Sequence, residues 1–379
     1  MRILILSYEY PPLGGGGGVA VAALAHAWAD AGYRVTIVSS GTAQLPAYEQ
    51  QGRLAIHRLP VPLRTARATA SLTSLLVYPG LAVRFATQRW SSQQFDLVVS
   101  AFAIPSGVAG AVLARWWRLP HLVAVMGGDI YDPSKALSPH RLPLLKQTVA
   151  LVLRTATKVV APSQDVAQRA ERVYGVRGVQ VIPLGLPLPA LVDGHKPEQI
   201  PQILTIARLV PRKLIDRLIL AVAALPRGTA RLVVLGDGPE RQALTELITE
   251  QGLTEYVQLR GYVSEAEKLA ALRSADVFAL VSEHEGFGLV YLEAAAQALP
   301  IVAGTVGGQV DFLEHGRTGW LVEPKDVTHL SHALAALCSQ GKLRRYMGNN
   351  ACAVARNYHV RHTAPLYLHS LQQVGGATR

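Results

Sequence analysis

The sequence has few cysteines and no long apolar segment. Only Cys338 and Cys352 occur among its 379 residues, and two such residues provide neither a disulfide framework nor a zinc-ligand pattern. We therefore expect a cytoplasmic protein in which both thiols are small buried side chains. No apolar run approaches the ~18 residues that a membrane-spanning helix needs. The opening segment Arg2–Ser7 is too short for a signal peptide, and Ile3–Ser7 is predicted to be the first strand.

Acidic residues are scarce in the first half of the chain. Residues 1–190 contain 18 Lys and Arg against 8 Asp and Glu, a net charge of +10, whereas residues 191–379 contain 19 against 18, a net +1. One-sided basic charge indicates an anionic partner. Nucleic acid would be such a partner, but no recognised nucleic-acid-binding module is present, so we do not expect it.

Continuous apolar runs alternate with helical patterns along the whole chain. Continuous rather than alternating apolar strands indicate α/β architecture with doubly wound parallel sheets. A proline-rich stretch between 184 and 201 predicts a linker. We therefore expect one Rossmann-like domain over 1–190 and a second over 201–356. The expected strands are Ile3–Ser7, Val35–Ser39, Leu54–Leu59, Leu97–Ser100, His121–Val125, Val159–Ala161, Val179–Ile182, Ile203–Ala207, Leu232–Leu235, Val257–Leu259, Val277–Val281, Ile301–Ala303 and Trp320–Val322.

The stretch Glu285–Glu293 carries the most information about function. It follows a predicted buried strand and leads into a predicted helix, Leu289–Leu299. Gly286 and Gly288 permit close backbone approach, and free N–H groups at a helix start attract anions. The glutamates at the two ends of the stretch each accept two hydrogen bonds, which suits the vicinal hydroxyls of a sugar. A helix cap and a solvent-facing side chain are the alternative roles for these two acids.

Two more loops follow predicted strands at their carboxyl ends, where doubly wound folds bind ligands. Arg208 and Lys213 follow the first strand of the second domain, and two fixed cations there can stabilise the charge of a departing diphosphate. The run of five glycines Gly14–Gly18 follows the first strand of the chain. It is not a dinucleotide fingerprint, because no acid stands ~20 residues further on. A mobile hinge is the alternative interpretation of this run.

The second half resembles the family-four, retaining nucleotide-sugar glycosyltransferases, also described as glycosyl transferases group 1. The likeness rests on Glu285-Gly286-Phe287-Gly288-Leu289, on Glu293 further along, and on the spacing of Arg208 and Lys213. It covers nearly the whole chain and is weaker in the first half. It implies a GT-B fold, in which two Rossmann-like domains face a central cleft. The first domain would bind the acceptor, and a C-terminal helix about 357–379 would pack back on it.

The resemblance assigns roles residue by residue. Arg208 and Lys213 would neutralise the leaving diphosphate, and Glu285 would orient the donor sugar without acting as a nucleophile. These three are the expected catalytic residues. The expected donor-binding residues are Gly15, Gly16, Gly286, Phe287, Gly288, Leu289, Glu293, Tyr262 and Asp129.

Other segments resemble parts of the family's donor site, and two depart from its pattern. Gly307-Gly308 resembles the loop that closes over the donor, whereas Gly236–Pro239 is interpreted as a plain turn before a helix. Many members have a His or Arg at the position of Met126, a side chain that helps to bind phosphate or sugar. The family usually has Gly after the lysine, at the position of Leu214.

The implied reaction moves a sugar from a nucleoside diphosphate sugar to a hydroxyl acceptor, with the anomeric configuration retained. No cofactor is expected beyond this co-substrate. No metal is expected either, because Asp129 and Asp132 do not form the tight Asp-x-Asp of metal-dependent transferases. A nucleotide-sugar epimerase of the same fold and a non-catalytic sugar-nucleotide binding protein are the alternatives.

The acceptor is expected to be a glycan, a lipid-linked molecule or a small molecule. Arg115–Arg118, with Arg84, Arg89 and Trp90 nearby in sequence, combines cations with aromatic side chains. Basic clusters attract anionic lipid, and Trp favours headgroup depth. This suggests peripheral contact with the inner face of a membrane, although ordinary surface arginines and core tryptophans explain the pattern equally well. The sugar, the base and the oligomeric state do not follow from the sequence.

Overall fold

A computed structural model shows two compact units. It describes residues 1–62, 64, 71–135, 137–189, 191 and 200–375, apart from the side chains of 372–375. One unit comprises Met1–Pro187 and His359–Arg379, and the other comprises Leu188–Tyr358. The predicted linker falls largely on residues 192–199, outside the described residues. Residue 190, where the first domain was predicted to end, and 376–379, the predicted end of the last helix, also lie outside them.

The first unit is an α/β unit with eight strands. The strands are β1 Arg2–Ser7, β2 Arg34–Gly41, β3 Tyr48–Gln51, β4 Leu54–Pro60, β5 Leu97–Ala101, β6 His121–Ala124, β7 Lys158–Ala161 and β8 Gln180–Val181. The helices between them are α1 Gly16–Asp30, α2 Leu72–Arg89, α3 Ser106–Trp117, α4 Pro143–Thr155 and α5 Gln164–Tyr174. The strands form one sheet in the order β3-β4-β2-β1-β5-β6-β7-β8. Every neighbouring pair is parallel except β3 with β4.

Strand β3 was not predicted, and its composition explains why. Its sequence, Tyr-Glu-Gln-Gln, has no apolar run, and three of its four residues are exposed. It is held by antiparallel pairing with β4 at the edge of the sheet. Apolar periodicity is the main sequence signal for a strand, so a polar edge strand escapes it.

The second unit repeats the pattern with six parallel strands. They are β9 Gln202–Ile206, β10 Arg231–Leu235, β11 Val257–Gly261, β12 Val277–Leu280, β13 Ile301–Gly304 and β14 Gly319–Val322. The helices are α6 Ile215–Ala223, α7 Arg241–Glu250, α8 Glu265–Ser274, α9 Leu289–Ala296, α10 Val327–Ser339 and α11 Gly341–Ala355. The sheet order is β11-β10-β9-β12-β13-β14. The predicted α/β class, with two parallel-sheet Rossmann-like domains, is confirmed.

Each sheet has a point where the strand order reverses. In the second unit β9 continues to β10 on one side, whereas its other neighbour, β12, continues to β13 on the opposite side. Loops after such a pair of strands diverge and leave a crevice, which is where open α/β sheets bind ligands. In the first unit β1 and β5 form the corresponding pair. Most candidate residues of the sequence analysis follow β1, β9 or β12, whereas Asp129 follows β6 and Tyr262 follows β11.

The last helix, α12 Val360–Gly375, belongs to the first unit. The buried indole of Trp28 in α1 donates from Nε1 to the carbonyl oxygen of Ala364 at 2.9 Å. The ring of Tyr367 lies edge-on to Trp28, with 6.3 Å between the centroids. These contacts hold α12 against α1. Within the described residues, no helix combines the length and the apolarity needed to cross a bilayer.

Candidate functional site

The turn between β12 and α9 requires glycine at Gly288. This residue precedes the first turn of α9 and has a left-handed backbone, φ 85°. A Cβ atom there would lie 2.4 Å from the ring of Tyr291, which is buried and donates its hydroxyl to the carbonyl oxygen of Leu280 at 2.8 Å. No described side chain caps the helix. The backbone N–H of Tyr291 donates to the carbonyl oxygen of Gly288 at 3.0 Å, so those of Leu289 and Val290 at the start of α9 stay available to an anion.

Glu285 is buried in this turn and forms an ion pair with Lys213. The lysine Nζ contacts Oε1 of the carboxylate, and the hydroxyl of Ser282 donates to the same oxygen at 3.3 Å. Burial opposes ionisation, but the charges of Lys213 and Arg212 outweigh it and hold the pKa of Glu285 below its ordinary value. The carboxylate is therefore charged and held in one position. Removing either partner of such a pair leaves a buried uncompensated charge.

The segment after β9 brings Lys213 to this carboxylate. Lys213 ends a short 3-10 turn, and Leu214 follows it with φ 50° and ψ 41°. This left-handed conformation costs a non-glycine residue roughly 1–2 kcal/mol. The chain thus adopts here the backbone that suits glycine, the residue usual at this position in the resembled family. The Leu214 side chain is buried, which offsets part of the cost.

Two arginines of the same segment have different environments. Arg212 Nη1 donates to the carbonyl oxygen of His284 at 3.0 Å, and the backbone N–H of Glu283 donates to the Arg212 oxygen at 2.8 Å. Arg212 therefore ties the loop after β9 to the loop after β12. Arg208 is exposed, and its guanidinium has no hydrogen-bond or ion-pair partner among the described residues. It is the cation of this segment that remains available to a ligand.

The Gly236–Pro239 turn supports Arg208, which its interpretation as a plain turn did not anticipate. A Cβ on Gly236 would lie 1.9 Å from the carbonyl oxygen of Ala207, and one on Gly238 would lie 2.2 Å from that of Leu209. The backbone N–H of Leu209 also donates to the carbonyl oxygen of Asp237 at 3.0 Å. The turn therefore packs directly against the backbone on both sides of Arg208.

Glu293 lies further along α9 and also pairs with a lysine. Lys268 of α8 places Nζ 2.8 Å from Glu293 Oε1 and 2.7 Å from a carboxylate oxygen of Glu265. Burial raises the pKa of Glu293, and the Lys268 charge opposes that shift. Glu293 therefore does not have the solvent-facing role considered as an alternative. No motif or periodicity in the sequence singled out Lys268.

Three expected donor-binding residues of the second unit have contrasting environments. The buried ring of Phe287 packs against those of Phe312 and Tyr358, at centroid distances of 5.2 and 5.9 Å. Leu289 is buried at the start of α9. Tyr262, which follows β11, is 74% exposed. Phe287 therefore presents only its backbone to the turn, whereas most of Tyr262 is accessible to solvent.

The loop Gly307-Gly308 packs on the turn that carries Glu285. The backbone N–H of Gly308 donates to the carbonyl oxygen of Glu285 at 2.8 Å. A Cβ on Gly308 would lie 2.2 Å from the carbonyl oxygen of Gly286. Gly307 has φ 120°, and a Cβ there would lie 2.8 Å from the backbone carbonyl oxygen of Glu285. The two loops approach so closely that neither glycine can carry a side chain without moving the turn.

In the first unit the glycine run begins α1. Gly15 precedes the helix, which starts at Gly16, and its N–H donates to Glu9 Oε2 at 2.9 Å. A Cβ on Gly17 would lie 2.8 Å from the ring of Phe102, whereas one on Gly15 would meet nothing within 4 Å. Packing therefore requires glycine at some positions of the run, and Gly15 faces open space.

Asp129 holds two loops of the first unit together. Its Oδ2 accepts from the backbone N–H of Ala103 at 2.6 Å, and its Oδ1 accepts from that of Met126 at 2.9 Å. Burial raises the pKa of Asp129 to about 6, against the effect of these backbone bonds. Both carboxylate oxygens of Asp129 thus accept backbone hydrogen bonds, one from the loop after β5 and one from the loop after β6. The contact of Asp129 with a donor stays a prediction.

The structure brings the second-unit candidates to one edge of one sheet. Arg208 and Lys213 follow β9, and Glu285 follows the neighbouring strand β12. Lys213 and Glu285 are in direct contact, whereas Glu293 is paired with Lys268. The three first-unit candidates, Gly15, Gly16 and Asp129, lie after β1 and β6 of the other sheet.

Two family models match the chain, one in each half. The model described as Glycosyltransferase Family 4 matches residues 14–188. The model described as Glycosyl transferases group 1 matches residues 192–354. Together these matches cover every strand of the two sheets except β1.

Curated relatives match the chain over different lengths. A D-inositol 3-phosphate glycosyltransferase of Arthrobacter sp. is 28% identical over 97% of this chain and 94% of its own length. A GDP-mannose-dependent alpha-(1-6)-phosphatidylinositol monomannoside mannosyltransferase of Mycobacterium tuberculosis is 35% identical over 146 residues. That match spans 36% of this chain and 38% of the relative.

Solved structures share the fold over the full chain. Sucrose-phosphate synthase from Thermosynechococcus elongatus has a TM-score of 0.87 and 23% identity, with complete coverage of both chains. HepE from Anabaena, solved in a complex with UDP and glucose, has a TM-score of 0.71 and 21% identity, covering 100% of this chain and 99% of its own. At these identities the likeness establishes the fold, and it confirms the GT-B architecture predicted from the sequence.

Replacement of Gly308 by alanine is expected to displace the Glu285 turn, because a Cβ would overlap the Gly286 carbonyl oxygen. We expect Gly308→Ala to lower the unfolding free energy by roughly 2 kcal/mol or more, within the range for overpacked sites. Urea unfolding followed by circular dichroism measures this. Gly80→Ala is the control, since a Cβ on that exposed residue of α2 meets nothing within 4 Å. Equal stability of the two variants would contradict the packing described.

Proposed function

We propose that this chain, which belongs to the GT-B glycosyltransferases of the group 1 and family 4 type, transfers a sugar from a nucleoside diphosphate sugar to a hydroxyl acceptor with retention of configuration. The observation that carries the proposal is the uncapped start of α9, with the buried Lys213–Glu285 pair and the exposed Arg208 at the same sheet edge. This arrangement suits a diphosphate group with an attached sugar.

The diphosphate is the leaving group of this reaction. The bond between the anomeric carbon and the phosphate oxygen breaks, and its electron pair goes to that oxygen. Arg208 contributes a planar fork of donors, Lys213 a compact charge, and α9 its free N–H groups. Fixed positive groups of this kind stabilise charge that develops in a transition state. In this proposal they perform the neutralisation without a metal ion, and no cofactor takes part.

Glu285 has an orienting role in the proposed mechanism. Its Oε1 already accepts from Lys213 and Ser282, so the carboxylate is held in place and its charge is shared. The acceptor hydroxyl oxygen forms the new bond to the anomeric carbon. Its proton passes to the departing phosphate oxygen on the same face of the sugar. Glu293 accepts hydrogen bonds from the ribose hydroxyls, which is the role of the corresponding glutamate in the family that the chain resembles.

The acceptor that we propose is lipid-linked or part of a cell-envelope glycan, reached from the cytoplasmic side. One relative supports this class, since it is named for phosphatidylinositol monomannoside, a lipid-linked molecule. The structure also separates the tryptophans of the basic region. Trp90 and Trp117 pack against Phe95 in the core, whereas Trp116 is 67% exposed.

Helices α3 and α4 present an outer face of mixed apolar and basic character. Leu144 and Leu151 are 75% and 64% exposed, and neither helix contains an acidic residue. Exposed cations, among them Arg115 and Lys146, accompany these apolar side chains. Apolar side chains bordered by cations complement a surface of anionic lipid headgroups. We therefore assign the proposed membrane contact to this face.

Loss of the Arg208 cation tests the reaction most simply. We expect Arg208→Ala to lower kcat by roughly a hundredfold, the scale on which one contact to developing charge is lost. Arg345→Ala, which removes an exposed cation of α11, is expected to leave kcat unchanged. Transfer is followed by chromatography of radiolabelled sugar, and the product anomer is identified by proton NMR. Full activity of Arg208→Ala, or an altered donor sugar without any acceptor, would contradict the proposal.

Charge on the outer face of α3 and α4 is expected to control membrane binding. The native protein should sediment with phosphatidylglycerol-containing vesicles at low salt and be released at high salt. At about 1 kcal/mol per cation, Arg115→Gln with Lys146→Gln should weaken binding roughly thirtyfold. The matched control, Lys342→Gln with Arg345→Gln in α11, should bind like the native protein. Binding that is insensitive to salt, or equal losses in both double variants, would exclude this surface.

A further inference from the structure

The carboxylate of Glu293 uses only one of its oxygens within the protein. Oε1 lies 2.8 Å from Nζ of Lys268. Oε2 is buried and has no hydrogen-bond partner among the described residues. An unsatisfied buried acceptor costs free energy that a bound donor would recover. The carboxylate is therefore poised to accept hydrogen bonds that the protein itself does not supply.

Lys268 lies where it can control both the rotamer and the charge of the Glu293 carboxylate. It comes from α8, a different helix from Glu293, and its side chain is largely buried between Glu293 and Glu265. Glu265 is 82% exposed at its side chain, so its contact with the lysine is screened by solvent and contributes little. The pairing of Lys268 with Glu293 is the buried one. It holds the rotamer of Glu293 and favours the charged form, which only accepts hydrogen bonds.

The second unit thus contains two buried lysine–glutamate pairs, one in the turn before α9 and one within α9. Lys213 arrives from the segment after β9 and Lys268 from the helix after β11. Each fixes a carboxylate that carries an expected ligand contact. If a hydrophobic residue replaced Lys213 or Lys268, the glutamate paired with that lysine would be a buried charge without a partner of opposite sign.

We propose that Lys268 is a positioning residue for nucleotide binding: it fixes the Glu293 carboxylate so that the free oxygen accepts from the ribose hydroxyls of the donor. This inference rests on the proposed function, because it takes Glu293 as the ribose contact. It adds that selection of a ribonucleotide over a deoxyribonucleotide depends on a lysine of a neighbouring helix.

The test compares ribose recognition with general binding. UDP and GDP, each beside its 2′-deoxy counterpart, are titrated by calorimetry into the native protein, Lys268→Met and Lys268→Arg. We expect Lys268→Met to bind the ribonucleotide about tenfold more weakly, the scale of a lost charge-assisted hydrogen bond. Affinity for the deoxyribonucleotide should change little, so the preference for ribose should collapse. Lys268→Arg should retain most of it.

Glu265→Gln is the matched control, since it removes the outer contact of Lys268 and leaves the Glu293 pair intact. It should keep the native preference for ribose. An unchanged preference in Lys268→Met, with a lower unfolding midpoint, would show that Lys268 only joins α8 to α9 and would overturn the inference. If Lys268→Met does not fold, Lys268→Gln is titrated in the same way. Absence of nucleotide binding by the native protein would instead contradict the proposed donor.

Discussion

The buried ion pair between Lys213 and Glu285 is the interaction on which the candidate site depends. It joins the loop after β9 to the loop after β12, the two strands between which the order of the sheet reverses. Arg212 reinforces the same junction through the carbonyl oxygen of His284. The Gly307-Gly308 loop then packs on the Glu285 backbone. A buried ion pair is weak support for stability, because desolvation offsets most of the attraction. Its position at the sheet edge therefore points to function.

The fold was predictable because it depends on patterns that are local in sequence. Parallel strands covered by helices on both faces form continuous apolar runs, and the predicted strands correspond to observed ones. The polar edge strand β3 lacks that pattern and was missed. The glycines of the α9 turn were recognised because they directly follow an apolar run that predicts a buried strand.

The contacts of the site were less predictable, because they join segments far apart in sequence. Glu285 was singled out by its motif, but its buried partner lies 72 positions away. Lys268 belongs to a short helix without a marked apolar face and has no local signature. Nothing in the sequence indicated that Arg212 donates a hydrogen bond to the carbonyl oxygen of His284 in the loop after β12. Side-chain partners between helices depend on tertiary packing, which composition and periodicity do not encode.

A double-mutant cycle on Lys213 and Glu285 tests most directly whether this pair serves function at the expense of stability. Lys213→Met and Glu285→Gln are each expected to lower the unfolding free energy by about 3 kcal/mol. The double variant should lose much less than the sum, because no buried charge remains, and it should nevertheless have no measurable sugar transfer. Additive losses of stability, or transfer retained by the double variant, would contradict the account.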